Sequence, residues 1–327
     1  MLMTKATQPS LRVVLVLFVF AAIVPDLFST SGKATAHTNN QSGSMSCPAP
    51  SFNFAPAYPV GNTPTEIVTG DFNQDGVLDL VTADNFELNV AVLFGNGKGE
   101  FGYPRKIDVQ GRPYTLEAGD FNNDGALDLV VGIYQNQVVL LGNGRGSFGP
   151  PIKTRTSEEP RSTAVGDLDK DGNLDLVVTN NYSDLFLLFG DGRGGFSVKY
   201  NFIVSDPSDV IVVDLNRDGN LDLAMSRSFG DDVAIRFGDG KGQFSSVISY
   251  KVGDYPNHLV VADFNRDNLP DIATLNAASS DLSILLGNET KVFSAAVNYP
   301  LPFGYFGARA MTLGDFNEDG NSDLVIM

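Results

Sequence analysis

Apolar residues in this chain come in short runs separated by Gly, Asn and Asp, and no stretch keeps a helical period over a useful length. The second unit shows the order. Tyr114 to Ala118 predicts a short strand running into a polar loop at Asp120, and Leu127 to Ile133 predicts the strand leaving it. A polar turn at 134–137 leads to Val138-Val139-Leu140-Leu141, then to the glycine-rich turn Gly142-Asn143-Gly144-Arg145-Gly146-Ser147-Phe148, and a fourth strand follows around Pro151–Thr154. The whole unit recurs. Its loop opens at Asp71, Asp120, Asp167, Asp214, Asp263 and Asp315, in steps of 49, 47, 47, 49 and 52 residues. Four short strands per unit of this length, with glycine punctuation, predict an all-β fold: a β-propeller of four-stranded blades with about six repeats present.

The loop between the first two strands carries the candidate chemistry. Oxygen side chains stand at positions 1, 3, 5 and 9, and position 7 joins each set. The first copy has Asp71, Asn73, Asp75, Val77 and Asp79, and the second Asp120, Asn122, Asp124, Ala126 and Asp128. The third has Asp167, Asp169, Asp171, Asn173 and Asp175, and the fourth Asp214, Asn216, Asp218, Asn220 and Asp222. The fifth has Asp263, Asn265, Asp267, Leu269 and Asp271, and the sixth Asp315, Asn317, Asp319, Asn321 and Asp323. Position 6 is Gly in five copies and Asn268 in the fifth, as a tight loop with positive φ needs. Hard, charged oxygens on a flexible loop suit Ca²⁺, which takes 6–8 oxygen ligands at roughly 2.3–2.6 Å; Mg²⁺ demands a stricter octahedron. No His or Cys lies in any loop, which disfavours zinc. An EF-hand needs a Glu at position 12, where this chain has Thr82, Val131, Val178, Met225, Thr274 and Ile326. These are strand–loop–strand hairpins, with up to six calcium ions expected.

Composition sharpens the picture at three points. The formal net charge is −17, and nineteen carboxylates belong to the six loops, so the acidity is mostly a metal-site feature. Without metal such loops repel themselves, and no basic stripe invites nucleic acid. Lys5 and Arg12 precede an apolar run from Val13 to Val24, too short to span a bilayer, and Ala34-Thr35-Ala36 offers a cleavage site. Residues 1–36 are therefore expected to be a signal peptide and 37–51 a disordered leader, with export to the cell surface or beyond. Cys47 is the only cysteine, so no intramolecular disulfide can form. Asn181 and Asn288 fit the N-glycosylation pattern.

The chain resembles the FG-GAP/VCBS repeat family, whose calcium loops also occur in integrin α-subunit propellers and some fungal lectins. The six loops carry the resemblance, with the preceding Gly-Asp pairs (Gly70-Asp71, Gly119-Asp120, Gly166-Asp167, Gly314-Asp315) and the pairs Phe94-Gly95, Phe189-Gly190 and Phe237-Gly238. It covers residues 52–327 and implies a propeller that usually closes as seven blades. Here the sixth unit stops at Val325-Ile326-Met327, so the C-terminal blade is expected to be incomplete, and Phe52–Tyr58 is expected to be an outermost strand. The glycine-rich turn decays at 287–293, which predicts a looser outer edge for the fifth blade.

The resemblance implies a binding or adhesion module for glycans or proteins, with structural calcium. Binding surfaces in the family often lie on the face away from the metal loops or between blades. That face is expected to present Phe86, Arg112, Tyr114, Tyr134, Arg161, Tyr182, Phe229, Asp231, Asp232, Tyr255, His258, Tyr305 and Arg309. The alternative is a lyase-like polysaccharide-active enzyme, or a non-catalytic domain of one, with His258, Lys251 or Tyr255 as its base. No nucleophile elbow or His-rich triad supports it, and no enzyme is expected.

Overall fold

The computed structural model describes residues 57–326 except 62, 157, 182–183, 290–291, 303–309 and 317–319, together with a short strand at Val13–Val14. Five four-stranded antiparallel sheets follow one another, with no helix among the described residues. The first blade comprises Pro64–Gly70, Asp79–Asp84, Asn89–Leu93 and Arg105–Asp108, and the second Pro113–Gly119, Asp128–Ile133, Asn136–Leu140 and Ile152–Arg155. The third comprises Pro160–Gly166, Asp175–Asn180, Asp184–Gly190 and Phe196–Ile203, and the fourth Pro207–Val213, Asp222–Arg227, Asp232–Arg236 and Ile248–Lys251. The fifth comprises Pro256–Ala262, Asp271–Asn276, Asp281–Leu285 and Val297–Pro300. Met311–Gly314 and Asp323–Ile326 form the first two strands of a sixth.

Every inner strand of the five complete blades opens on a proline, and the ladder slips by one residue just behind it. Proline has no N–H to give the ladder, so it suits the first residue of a strand, and the bulge re-aims the side chain two positions on. Those side chains are Glu66, Thr115, Ser162, Asp209 and His258. Three of them accept a backbone N–H from the next blade. The Leu116 N–H donates to Glu66 Oε2 at 2.5 Å, Val210 to Ser162 Oγ at 3.3 Å and Leu259 to Asp209 Oδ2 at 2.9 Å.

Hydrophobic cores lie between successive blades. Val81, Ala83, Val90 and Val92 of the first blade meet Leu116, Leu129 and Val131 of the second. The same alternation puts Val130 and Val139 against the third blade, and it continues to Ala273, Leu275 and Leu282 against Met311, Leu324 and Ile326. With a period of two, each strand serves both neighbours, one face to each, which is why the runs read as nearly continuous apolar sequence.

The fifth blade departs from expectation. Gly287–Asn288 pairs with Val292–Phe293, Phe293 is buried against Tyr250 at 5.6 Å, and the fourth strand Val297–Pro300 is intact. The closing Phe keeps its anchor although only the first glycine of the turn, Gly287, remains. Of the expected strand at Phe52–Tyr58, residues 52–56 lie outside the described residues, and Tyr58 is not in a strand. Its hydroxyl accepts the Phe101 N–H at 3.0 Å. Beside Asp323–Ile326 runs Val13–Val14, the one parallel pairing described; the remainder of the segment read as an export signal and leader lies outside the described residues.

Leu187 is fully buried between the third and fourth blades. Leu187→Ala is expected to lower unfolding free energy by about 2–5 kcal/mol in urea titration, whereas Tyr103→Ala, at a 92% exposed site, stays within about 0.5 kcal/mol.

Candidate metal loops and the opposite face

Each loop is wound by its own backbone. The N–H groups of Asp75 and Gly76 donate to the two oxygens of Asp71 at 3.0 and 2.8 Å, and the Val77 N–H donates to Asp75 Oδ1 at 2.9 Å. The second and fifth copies repeat this around Asp120 and Asp263. Position 6 has positive φ as expected, from 64° at Asn268 to 88° at Gly172. Position 4 has it too, at Gln74, Asn123, Lys170, Arg217 and Arg266, a strain that nothing in those side chains announces.

Position 9 does more than complete a ligand set. Its carboxylate is buried in all six copies. One oxygen of Asp79 accepts the Phe72 N–H at 3.1 Å, and the other accepts the Gly95 N–H at 2.9 Å, where the glycine-rich turn begins. Asp128, Asp175, Asp222 and Asp271 make the same pair of bonds to their own loop and turn, and Asp323 makes the first of them, from Phe316. The turn's first residue must be glycine here: a Cβ on Gly95 would lie 2.2 Å from the Leu78 carbonyl oxygen, and one on Gly142 would lie 2.1 Å from that of Leu127.

Burial raises the carboxyls of Asp79, Asp128, Asp175, Asp222 and Asp271 above their usual range, to about 6 at Asp128, Asp175 and Asp222; the two backbone donors oppose the shift and the neighbouring loop carboxylates add to it. The third copy converges most tightly, with oxygens of Asp167, Asp169 and Asp175 all within 4.8 Å of one another. Position 5 instead turns toward amides: Asn122, Asn216 and Asn265 each donate to the carboxylate two residues on, at 2.9, 3.0 and 2.9 Å. Asn317 and Asp319 lie outside the described residues.

The donor set fits calcium. It is all oxygen and largely anionic, and Asp169 Oδ1 and Asp214 Oδ1 are buried without a hydrogen-bond partner. A buried anionic oxygen without a partner is costly, and a cation at the loop's centre would satisfy it.

Metal loops and glycine-rich turns share one face, because both follow strands that run the same way. The opposite face carries the connections between second and third strands and between blades. Phe86 (64% exposed) lies under the Arg112 guanidinium at 5.4 Å, and Phe229 (73% exposed) stands edge-on to Tyr255 at 5.6 Å. Tyr134 is exposed as well, while the Tyr114 hydroxyl donates to Glu159 at 3.3 Å. The other expected residues are held inward. Asp232 takes Arg227 in a two-pronged pair at 2.7 and 2.6 Å, Asp231 accepts the Tyr255 N–H at 3.0 Å, and Arg161 reaches Ser228 at 3.4 Å. Tyr182, Tyr305 and Arg309 lie outside the described residues.

Inner strands add a feature that sequence reasoning missed. Glu66, Glu117 and Asp209 bring their carboxylates toward one another across the inner strands, with His258 Nδ1 at 3.6 Å from Asp209 Oδ2. Burial, then Glu117, pushes the Glu66 carboxyl up to about 8; burial, then Asp209, pushes Glu117 up to about 7.

The FG-GAP-like repeat family matches residues 71–131, 132–178, 167–225, 214–274 and 263–326, one match to each blade step and most of the chain in all. The chain is an FG-GAP repeat protein. Its fold is shared by an Agrocybe aegerita lectin that recognises non-reducing terminal N-acetylglucosamine, with TM-score 0.58 at 20% identity over 80% of this chain and 74% of that one. It is shared by the BBS1 N-terminal domain solved in complex with ARL6, with TM-score 0.56 at 16% identity over 81% and 76%. A functionally unknown protein from Desulfotomaculum acetoxidans matches with TM-score 0.57 at 11% identity over 78% and 77%. No curated protein matches the chain.

The inner carboxyls give this FG-GAP protein a pH signature. Glu66 holds its proton to about pH 8 when folded and releases it near 4.5 when unfolded, so its contribution is full below 4.5 and lost as pH rises through 8. At constant calcium, the melting temperature is expected to fall between pH 6.5 and 9, and less steeply in Glu66→Gln. An equal slope in both proteins would contradict this assignment.

Proposed function

We propose that this protein is a secreted or cell-surface propeller, stapled by calcium on one face, that binds a glycan or a protein on the other without turning it over. The observation that carries the calcium half is the pair of unpartnered buried oxygens, Asp169 Oδ1 and Asp214 Oδ1, inside loops whose other donors are oxygen alone. Positions 1, 3, 5 and 9 would hold the ion with the position-7 carbonyl. The ion supplies no chemistry beyond charge neutralisation: it holds the hairpin between first and second strands and stabilises the fold by mass action.

Exposed aromatics beside polar groups support the binding half. Phe86 with Arg112, and Phe229 with Tyr255, offer flat apolar surface next to donors, which suits stacking on a sugar ring or anchoring a protein partner. The lectin and the BBS1 domain show that this architecture serves both kinds of ligand in other chains.

Calcium at 100 times its dissociation constant is expected to stabilise the fold by about 2.7 kcal/mol for each independent site, and excess chelator to remove that gain. Isothermal titration should count up to six ions, and one fewer in Asp167→Asn/Asp169→Asn. A melting temperature indifferent to calcium and chelator would sink the metal half. For the binding half, glycan arrays and protein capture should yield a ligand whose affinity drops about tenfold or more in Phe229→Ala or Phe86→Ala, with melting unchanged. Loss of binding only through substitutions on the metal face would refute the assignment of faces.

A further inference from the structure

Neighbouring loops are joined through position 4. Gln74 Nε2 of the first loop donates to the Gly125 carbonyl of the second at 2.9 Å, and Asn123 Nδ2 of the second donates to Asn173 Oδ1 of the third at 2.8 Å. Both residues are left-handed, with φ of 56° and 59°. The glycine-rich turn of the next blade makes room for each bond. A Cβ on Gly144 would lie 2.6 Å from Gln74 Oε1, and one on Gly192 would lie 2.3 Å from Asn173 Oδ1 and 3.1 Å from Asn123 Nδ2.

Both bonds lead on to ligand positions. The peptide that accepts from Gln74 gives its own N–H, that of Ala126, to Asp124 Oδ1 at 2.8 Å. Asn173, which accepts from Asn123, donates to Asp171 through Nδ2 at 3.0 Å and through its N–H at 2.8 Å. Asp124 and Asp171 hold position 5 of their loops. At the donor end, Gln74 lies between the ligand residues Asn73 and Asp75, and Asn123 between Asn122 and Asp124. Each bond thus connects a position-5 carboxylate to the middle of the loop before it, in a chain from first to second to third. The chain stops there. Lys170 holds position 4 of the third loop, with its Cε 3.3 Å from where a Cβ on Gly240 would lie, and makes no hydrogen bond to the fourth loop among the described residues.

We propose that calcium binding is coupled along the first three loops through Gln74 and Asn123, an ion in one loop raising the affinity of the loop before it, and that the coupling ends at Lys170. The inference rests on the calcium reading above. With an ion in the third loop, Asp171 and the backbone of Asn173 are held in place, and with them the acceptor for Asn123. A fixed Asn123 holds Asn122 and Asp124 in turn, so the second loop has less to order when it fills. The same step runs from the second loop to the first through Gly125 and Gln74. Coupling of this kind is reciprocal. Direct repulsion between neighbouring ions has the opposite sign and does not depend on one amide.

Each loop carries its own reporter. The position-6 N–H groups of Gly76, Gly125, Gly172 and Gly219 donate to their position-1 carboxylates at 2.8, 2.8, 3.0 and 2.8 Å. Amide NMR of the glycine-labelled full chain, stripped of metal and titrated with calcium, therefore follows these loops one by one. Removing the third site with Asp167→Asn/Asp169→Asn should raise the calcium midpoint at Gly125 about fivefold. In Asn123→Ala the same removal should leave Gly125 unmoved. Asn173→Ala breaks the bond from its other end and should uncouple the two loops in the same way; the second loop already carries alanine, Ala126, at that place. Removing the fourth site with Asp214→Asn/Asp218→Asn should not move Gly172. A Gly125 midpoint that ignores the third site, that falls, or that shifts equally with and without Asn123 overturns the coupling and leaves the calcium reading intact. A fivefold shift at Gly172 on loss of the fourth site overturns the part given to the position-4 amides. Calcium that moves no position-6 glycine overturns both readings.

Discussion

A buried carboxylate with two backbone donors holds each blade in shape. Asp79 and its counterparts sit where the second strand begins, and each ties the loop before that strand to the turn after the third. Four strands thereby share one fixed point at the metal face. Keeping an anion there is costly: burial drives these carboxyls up to about 6 in three copies. Two N–H groups per carboxylate offset the cost, and truncating the side chain would leave both donors unpaired in a closed space. A calcium ion on the loop would act in the same direction, because it favours the charged form that the clamp needs.

From that fixed point the rest follows by repetition. With every second strand anchored at the same height, side chains at equal register face one another across each blade gap. At three gaps a glycine that ends an inner strand lies under a leucine of the next loop, with no room for a side chain. The ring is therefore held together blade to blade, with little reach beyond nearest neighbours, as in other repeat folds.

Much of this was legible in the sequence because its causes are local. Loop spacing and glycine at position 6 reflect backbone geometry within nine residues, so the hairpins, their count and the four-strand unit could be read directly. The fifth blade misled because the loss of glycines from its turn was visible while the burial of Phe293 on Tyr250 was not. Double duty at position 9 was hidden for another reason. Its partners, such as Gly95 for Asp79, lie some sixteen residues away across a folded sheet. Glu66 and Glu117 stand fifty-one residues apart on strands whose alternation looks ordinary, and only the turn from blade to blade makes them neighbours. The prolines that open the inner strands were a readable signal of the bulge, since they recur at a fixed distance before the first five loops.

The two faces differ in how much they repeat, and that difference bears on what each is for. Six nearly identical loops line one face because the buried carboxylate clamp poses the same problem in every blade. On the far face the connections diverge in chemistry: Asn85-Phe86-Glu87-Leu88, Tyr134-Gln135, Ser228-Phe229-Gly230-Asp231 and Ala277-Ala278-Ser279-Ser280 have no residue pattern in common. Tight hairpins of this kind need only a few polar or small residues, so folding alone has no use for Phe86 and Phe229 standing in water. An asymmetric ligand, by contrast, requires blades that differ from one another. Uniformity where the fold is held and divergence where aromatics are exposed is the division of labour that a recognition module built on a repeat must have.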